Sequence, residues 1–153
     1  KVIAYKAGIY GMVGGQSLDV WLTDKPMNEA QLEFIFNLKT GALIEAAFMA
    51  GAILAGADDR TVEKMEKAGN LIGVAFQIQD DILDVTSTSE ELGKPVLSDE
   101  KNQKTTYVTL VGLDQAKADV AEISARAVSL LKELPGENLF LENLVTMLVE
   151  RKK

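Results

Sequence analysis

Phe76-Gln77-Ile78-Gln79-Asp80-Asp81-Ile82-Leu83-Asp84 sets three carboxylates at a spacing that a helix gathers onto one side. At about 100° per residue, Gln77, Asp80, Asp81 and Asp84 fall within an arc of about 100°, because their offsets are 0, 3, 4 and 7. Gly73, one turn earlier, adds no side chain there. Like charges four residues apart cost a helix a few tenths of a kcal/mol, so the arrangement calls for a compensating cation. Magnesium suits it, since it takes one or two carboxylates and draws its other ligands from water and phosphate. On spacing alone, a solvated acidic helix face is the alternative. Against it, Phe76, Ile78, Ile82 and Leu83 occupy the other faces, so the acids are expected to line a cavity inside a bundle.

On either side of this stretch nearly every segment has helical period, and no strand-like alternation bounded by turns is seen. The expected fold class is all-α, in one domain over residues 1–153, without repeat or linker. The first segment reads as the end of one helix, a glycine break at Gly11 to Gly15 and a short helix to about Leu22. Asn28 with Gln31 predicts a capping box that opens a helix to Leu38, and a further helix runs through Ala55 after a kink at Lys39-Thr40-Gly41. Ala42, Ala46 and Ala50, with the parallel row Ala47, Gly51 and Ala55, predict close approach by neighbouring helices. Asp58 or Asp59 caps the aspartate helix, which ends near Val85. Residues 86–103 read as a long functional loop. Asp114 is expected to cap a helix with Ala116, Val120, Ile123, Ala127, Leu130 and Leu134 on one stripe, stopped by Pro135-Gly136. A last helix runs from about Asn138 to Arg151.

Composition narrows the chemistry. The 153 residues are 47% hydrophobic and 25% charged, as in a globular domain. With no cysteine and no histidine, thiolate or imidazole metal sites and the commonest general base are absent. Any metal must be held by oxygen, which favours hard cations. A net charge of −7 argues against a nucleic-acid partner. The apolar run Gly41–Ala57 is interrupted by Glu45 and is shorter than the ~20 residues of a transmembrane helix, so a buried helix is expected. No signal peptide is seen at the start, and a cytoplasmic protein is expected. The first residue is not methionine and lies in apparent mid-helix, which predicts a piece of a longer protein.

The string QIQDDILD resembles the second aspartate-rich motif, DDxxD, of the trans-isoprenyl diphosphate synthases, the polyprenyl synthetase family of farnesyl and geranyl diphosphate synthases. Other landmarks follow in the family's order: GMVGGQSLD at 11–19 is similar to its GGQxxD segment, LKTGALIEA at 38–46 to its KTG motif, and ELGKPVLSDEKNQKTTY at 91–107 to its lysine-bearing loop and KxT turn. The resemblance covers nearly the whole chain, as the C-terminal portion of an isoprenoid-synthase helical bundle.

That resemblance implies a geranyl- or farnesyl-type trans-prenyltransferase, using magnesium with manganese as a substitute. It would join an allylic diphosphate to isopentenyl diphosphate, as a homodimer when complete. It further implies that Asp80, Asp81 and Asp84 bind the metal, Asp80 and Asp84 most directly. Lys39, Lys94 and Lys104 would contact diphosphate oxygens, with Thr40, Gln77 and Asp99 orienting substrate or metal. Lys39 is the lysine least like a merely solvated one, because it borders a small-residue apolar helix. Lys104-Thr105 lacks the glycine-rich lead of a phosphate-binding loop. Gln16 and Asp19 read as a capping pair or as cavity-lining groups, the latter preferred. Phe48 and Phe76 read first as core and second as walls for a prenyl tail, Phe76 being carried among the substrate contacts. Arg151, near the chain end, is a candidate to reach the site in the folded enzyme, although nothing in its spacing shows this.

The implied reaction ionises the allylic diphosphate, adds the double bond of isopentenyl diphosphate and releases a proton. An apolar cavity must keep water from the cation. The family's first aspartate-rich motif is not among these residues, so the polypeptide alone is expected to be inactive. Three other readings compete. A non-catalytic subunit should have lost the metal and diphosphate residues, whereas this chain keeps them. A terpene cyclase would replace the second DDxxD by an Asn/Ser/Glu pattern. A calcium-binding bundle would need the glycine and closing glutamate of an EF-hand loop.

Overall fold

A computed structural model describes residues 1–87, 105–136 and 138–151, and all regular structure among them is helical. Helices α1 (Val2–Ala7) and α2 (Met12–Trp21) are joined by a turn at Gly8–Gly11. The break therefore precedes the expected one, and α2 runs straight through Gly14 and Gly15. Asn28 caps α3 (Glu29–Ile35) with the predicted box, its side chain accepting from Gln31 N at 2.9 Å while Gln31 Oε1 accepts from Asn28 N at 3.0 Å. The KTG segment does not break the helix. Phe36–Gly41 forms a π-helical segment that passes into α4 (Ala42–Leu54). Gly56, at φ 75°, then closes α4 with paired 5→2 and 6→1 backbone bonds, Gly56 N to Ile53 O and Ala57 N to Ala52 O, each 3.0 Å.

Asp58, accepting from Thr61 N at 2.8 Å, opens the 28-residue α5 (Asp59–Thr86). A short helix not foreseen in the sequence, α6 (Tyr107–Val111), is capped by Thr106. Gly112, at φ 87°, turns the chain into α7 (Leu113–Lys132), so Gly112 is the N-cap and Asp114 lies in the first turn. The last helix, α8, spans Leu139–Glu150.

Helix α5 is the central element, packed between α4 and α7. One core cluster joins Ile78 and Ile82 to Leu32, Ile35, Phe36 and Val120; the other joins Ala68 and Ile72 to Ala127, Leu131 and Val145. On α7 the buried line is Ala116, Val120, Ser124, Ala127 and Leu131, while Ile123 and Leu130, and Leu134 just past the helix end, are only partly covered. On α4, Ala42 and Ala46 are buried as expected, but the row Ala47, Gly51 and Ala55 faces outward. The backbones of the π segment and α5 meet at Gly73, where an added Cβ would lie 2.6 Å from Gly41 Cα. Because the π segment joins α3 to α4, Glu29–Leu54 makes a 26-residue helical run, long and apolar enough by length and composition alone to cross a membrane. It packs along α5 and carries ion pairs to α1 and α2, but only 33% of its apolar stretch is buried, so the helix is half-covered and not the buried one expected.

Candidate active site

The heptad-like spacing brings the aspartates to one side of α5, but their carboxylates turn to different neighbours. Asp80 meets the far end of the chain: its Oδ1 accepts from Arg151 Nη2 at 3.2 Å. The Arg151 guanidinium lies 3.7 Å from the Phe76 ring centroid and also donates to Phe76 O at 3.3 Å, while Gln79 Nε2 donates to Arg151 O at 3.4 Å. Burial lowers the guanidinium's pKa, the carboxylate of Asp80 opposes that, and the net value is below the usual arginine range. Asp81 Oδ2 accepts from the Tyr107 backbone N–H at 2.7 Å. Asp84, at 3% exposure, is buried. The reason is rotation: Asp80 and Asp81 are about 100° apart around the axis, enough to face separate elements.

Among the described residues, no three acidic side chains stand together as a ready-made cation cage. The donor chemistry still fits a hard divalent ion. Asp80 and Asp84 offer oxygens on successive turns of α5, the chain has no cysteine or histidine to compete with them, and such an ion fills its remaining positions from phosphate and water.

The second assembled part lies on the π segment. Lys39 Nζ pairs with Asp19 Oδ2 at 2.6 Å, both groups being mostly covered. Gly15 permits this, since a Cβ there would strike the Lys39 backbone nitrogen. Thr40 and Gln77 are half-buried. Gln16, on the same helix as Asp19, borders a hollow lined by Met12, Val13, Ser17 and Val20 on α2. Phe76 does more than fill core, because its ring carries the Arg151 guanidinium. Lys94, Asp99 and Lys104, and the expected loop beyond residue 87, lie outside the described residues.

Three features were not fixed by the sequence. Arg151 is 71 residues from Asp80 and no local pattern signals the contact. Tyr107 donates its hydroxyl to Asp119 Oδ2 at 2.8 Å, and burial, then Asp119, pushes the phenol pKa up to about 12. The third is a polar network farther down α5. Asn70 Nδ2 donates to Asn37 Oδ1 at 2.9 Å and Glu45 Oε1 at 2.7 Å, and Lys6 pairs with both Glu45 and Glu66. Burial pushes the Lys6 ammonium down, but its bonds to Glu45 and Glu66 outweigh that and hold it above the usual lysine value. Beside this network opens a cavity of about 720 Å³, floored by Leu38, Leu71 and Leu130.

Comparison with known proteins agrees with this architecture. A farnesyl diphosphate synthase of Micrococcus luteus is 39% identical over 153 residues, covering 100% of this chain and 53% of that protein. The solved heptaprenyl diphosphate synthase of Staphylococcus aureus superposes with a TM-score of 0.91 at 26% identity, over 99% of this chain and 59% of that one. A Helicobacter pylori geranyltransferase, solved with magnesium and isoprenyl diphosphate, gives 0.79 at 31% identity, over 97% and 48%. The chain thus spans about half the length of the curated relatives it matches. The Polyprenyl synthetase family model matches residues 2–134, and with helices, motif order and relatives all in agreement, the chain belongs to the polyprenyl synthetase family.

Proposed function

We propose that this chain provides the second aspartate-rich face of a magnesium-dependent trans-prenyltransferase, which joins an allylic diphosphate to isopentenyl diphosphate. The supporting observation is that Asp80 and Asp84 lie on successive turns of the central helix, in a chain 39% identical to a farnesyl diphosphate synthase. Asp80 and Asp84 are the residues that would hold magnesium, which supplies positive charge to the departing diphosphate. Lys39, with Thr40 beside it, adds a fixed ammonium for the same oxygens, and its pair with Asp19 sets its direction before substrate arrives. Gln77, one turn before Asp80 and Asp81, is a polar group available to orient that substrate.

The allylic C–O bond breaks, the double bond of isopentenyl diphosphate forms the new C–C bond, and loss of a proton restores an alkene. Diphosphate and a longer prenyl diphosphate leave. The complete enzyme would have to exclude the water that quenches the cation, which calls for an apolar cavity walled by helices. The complete enzyme would act as a homodimer, which sedimentation would test.

The assignment is tested in the complete protein that carries this chain, by magnesium-dependent condensation of dimethylallyl and isopentenyl diphosphates. Asp80→Ala and Asp84→Ala should each lower turnover by orders of magnitude. A loss smaller than about tenfold, ~1.4 kcal/mol, would sink it.

A further inference from the structure

Asp81 stands between the two proposed ligands, yet its carboxylate is engaged elsewhere. The 2.7 Å bond from Tyr107 N to Asp81 Oδ2 is a charge-assisted contact to the first residue of α6. Tyr107 is held from two further directions. Its ring lies against Phe36 with centroids 6.4 Å apart, and its hydroxyl bonds Asp119, whose other oxygen accepts from Gln115 Nε2 at 2.8 Å. Just upstream, Thr105 Oγ1 accepts from the Met27 backbone N–H at 3.0 Å. The run Thr105–Tyr107 is therefore fastened to α5 by Asp81, to α7 by Asp119, to the chain before α3 by Met27 and to the π segment by Phe36. That π segment also carries Lys39.

We infer that Asp81 is a positioning residue, which docks the Thr105–Tyr107 run onto the aspartate helix and thereby sets Phe36 and the Lys39 segment relative to Asp80. This rests on the function proposed above, but it divides the three aspartates by task. Asp80 and Asp84 serve the metal. Asp81 serves the fold around it, through an acceptor oxygen rather than through its charge at the ion.

The distinction is measurable in the complete protein with two readouts: Mn²⁺ affinity in the presence of inorganic diphosphate, followed by electron paramagnetic resonance, and hydrogen exchange of the peptide containing Tyr107–Val111. Asp81→Asn keeps the acceptor oxygen, so its exchange protection should be retained and its Mn²⁺ affinity should stay within about twofold of the parent. Asp80→Asn should weaken Mn²⁺ by about tenfold or more. Asp81→Ala should speed exchange of the Tyr107 peptide by about tenfold, and rescue by Asp81→Asn marks the bond as the cause. The inference is overturned if Asp81→Asn loses Mn²⁺ as severely as Asp80→Asn, or if Asp81→Ala leaves the Tyr107 peptide protected. Failure of Asp80→Asn to affect Mn²⁺ would instead count against the metal-site reading, and the exchange result would still decide the docking role of Asp81.

Discussion

Tyr107 shows how one side chain links pH to the integrity of the site. Its phenol titrates at about 12 in the fold against an ordinary 10.0, through burial and then the Asp119 carboxylate. A raised folded value means that the neutral phenol is the stabilising form. Its contribution is complete below pH 10.0 and fades as the pH climbs through about 12. Tyr107→Phe keeps the ring on Phe36 but removes the bond to Asp119. Denaturant unfolding should find it about 1 kcal/mol less stable than the parent at pH 8, with the gap closing between roughly pH 10 and 12. A gap that stays constant across that range would show that the hydroxyl contributes nothing pH-dependent. Residue-level features that the sequence did reveal are local: Asn28 with Gln31 is a pair of bonds between neighbours three apart, which the residue types suffice to foresee, whereas the cap of α5 was narrowed only to Asp58 or Asp59 and the structure selects Asp58.

Among elements, the contact between α2 and the π segment matters most for the proposed chemistry, because it sets Lys39 against Asp19. It depends on one missing side chain. Gly15→Ala would drive a methyl into the Lys39 backbone, and backbone cannot move aside as a flexible side chain can. The expected cost is about 1–3 kcal/mol in unfolding free energy, accompanied by weaker binding of inorganic diphosphate. Calorimetric titration that finds unchanged diphosphate affinity would separate Lys39 from substrate binding. The π segment was legible only as a kink at Lys39-Thr40-Gly41. Period alone does not distinguish an interrupted helix from one with a widened turn, and the choice here follows packing, with Gly41 pressed against Gly73 and Asn37 bonded to Asn70.

At the scale of the whole molecule, Arg151 brings the end of the described chain back to the C-terminal half of α5. Its guanidinium covers Phe76 and pairs with Asp80, so it ties α8 to the aspartate helix. Arg151→Ala should cost about 1–2 kcal/mol of stability through the lost ring contact and ion pair. It should also tighten Mn²⁺ binding, because the metal no longer competes with this guanidinium for Asp80. Weaker Mn²⁺ binding in that variant would mean that Arg151 supports the ion instead of opposing it. The all-α class, the central aspartate helix and the order of motifs were written in hydrophobic period, capping residues and short strings, all of them interactions within a few residues of one another. Contacts across long sequence separations were not. The sequence places Asp80, Asp81 and Asp84 on one arc, but only packing assigns Asp80 to Arg151, Asp81 to Tyr107 and Asp84 to the interior. Helical period gives the angle at which a side chain leaves its axis; the neighbour it meets depends on how separate helices settle against each other.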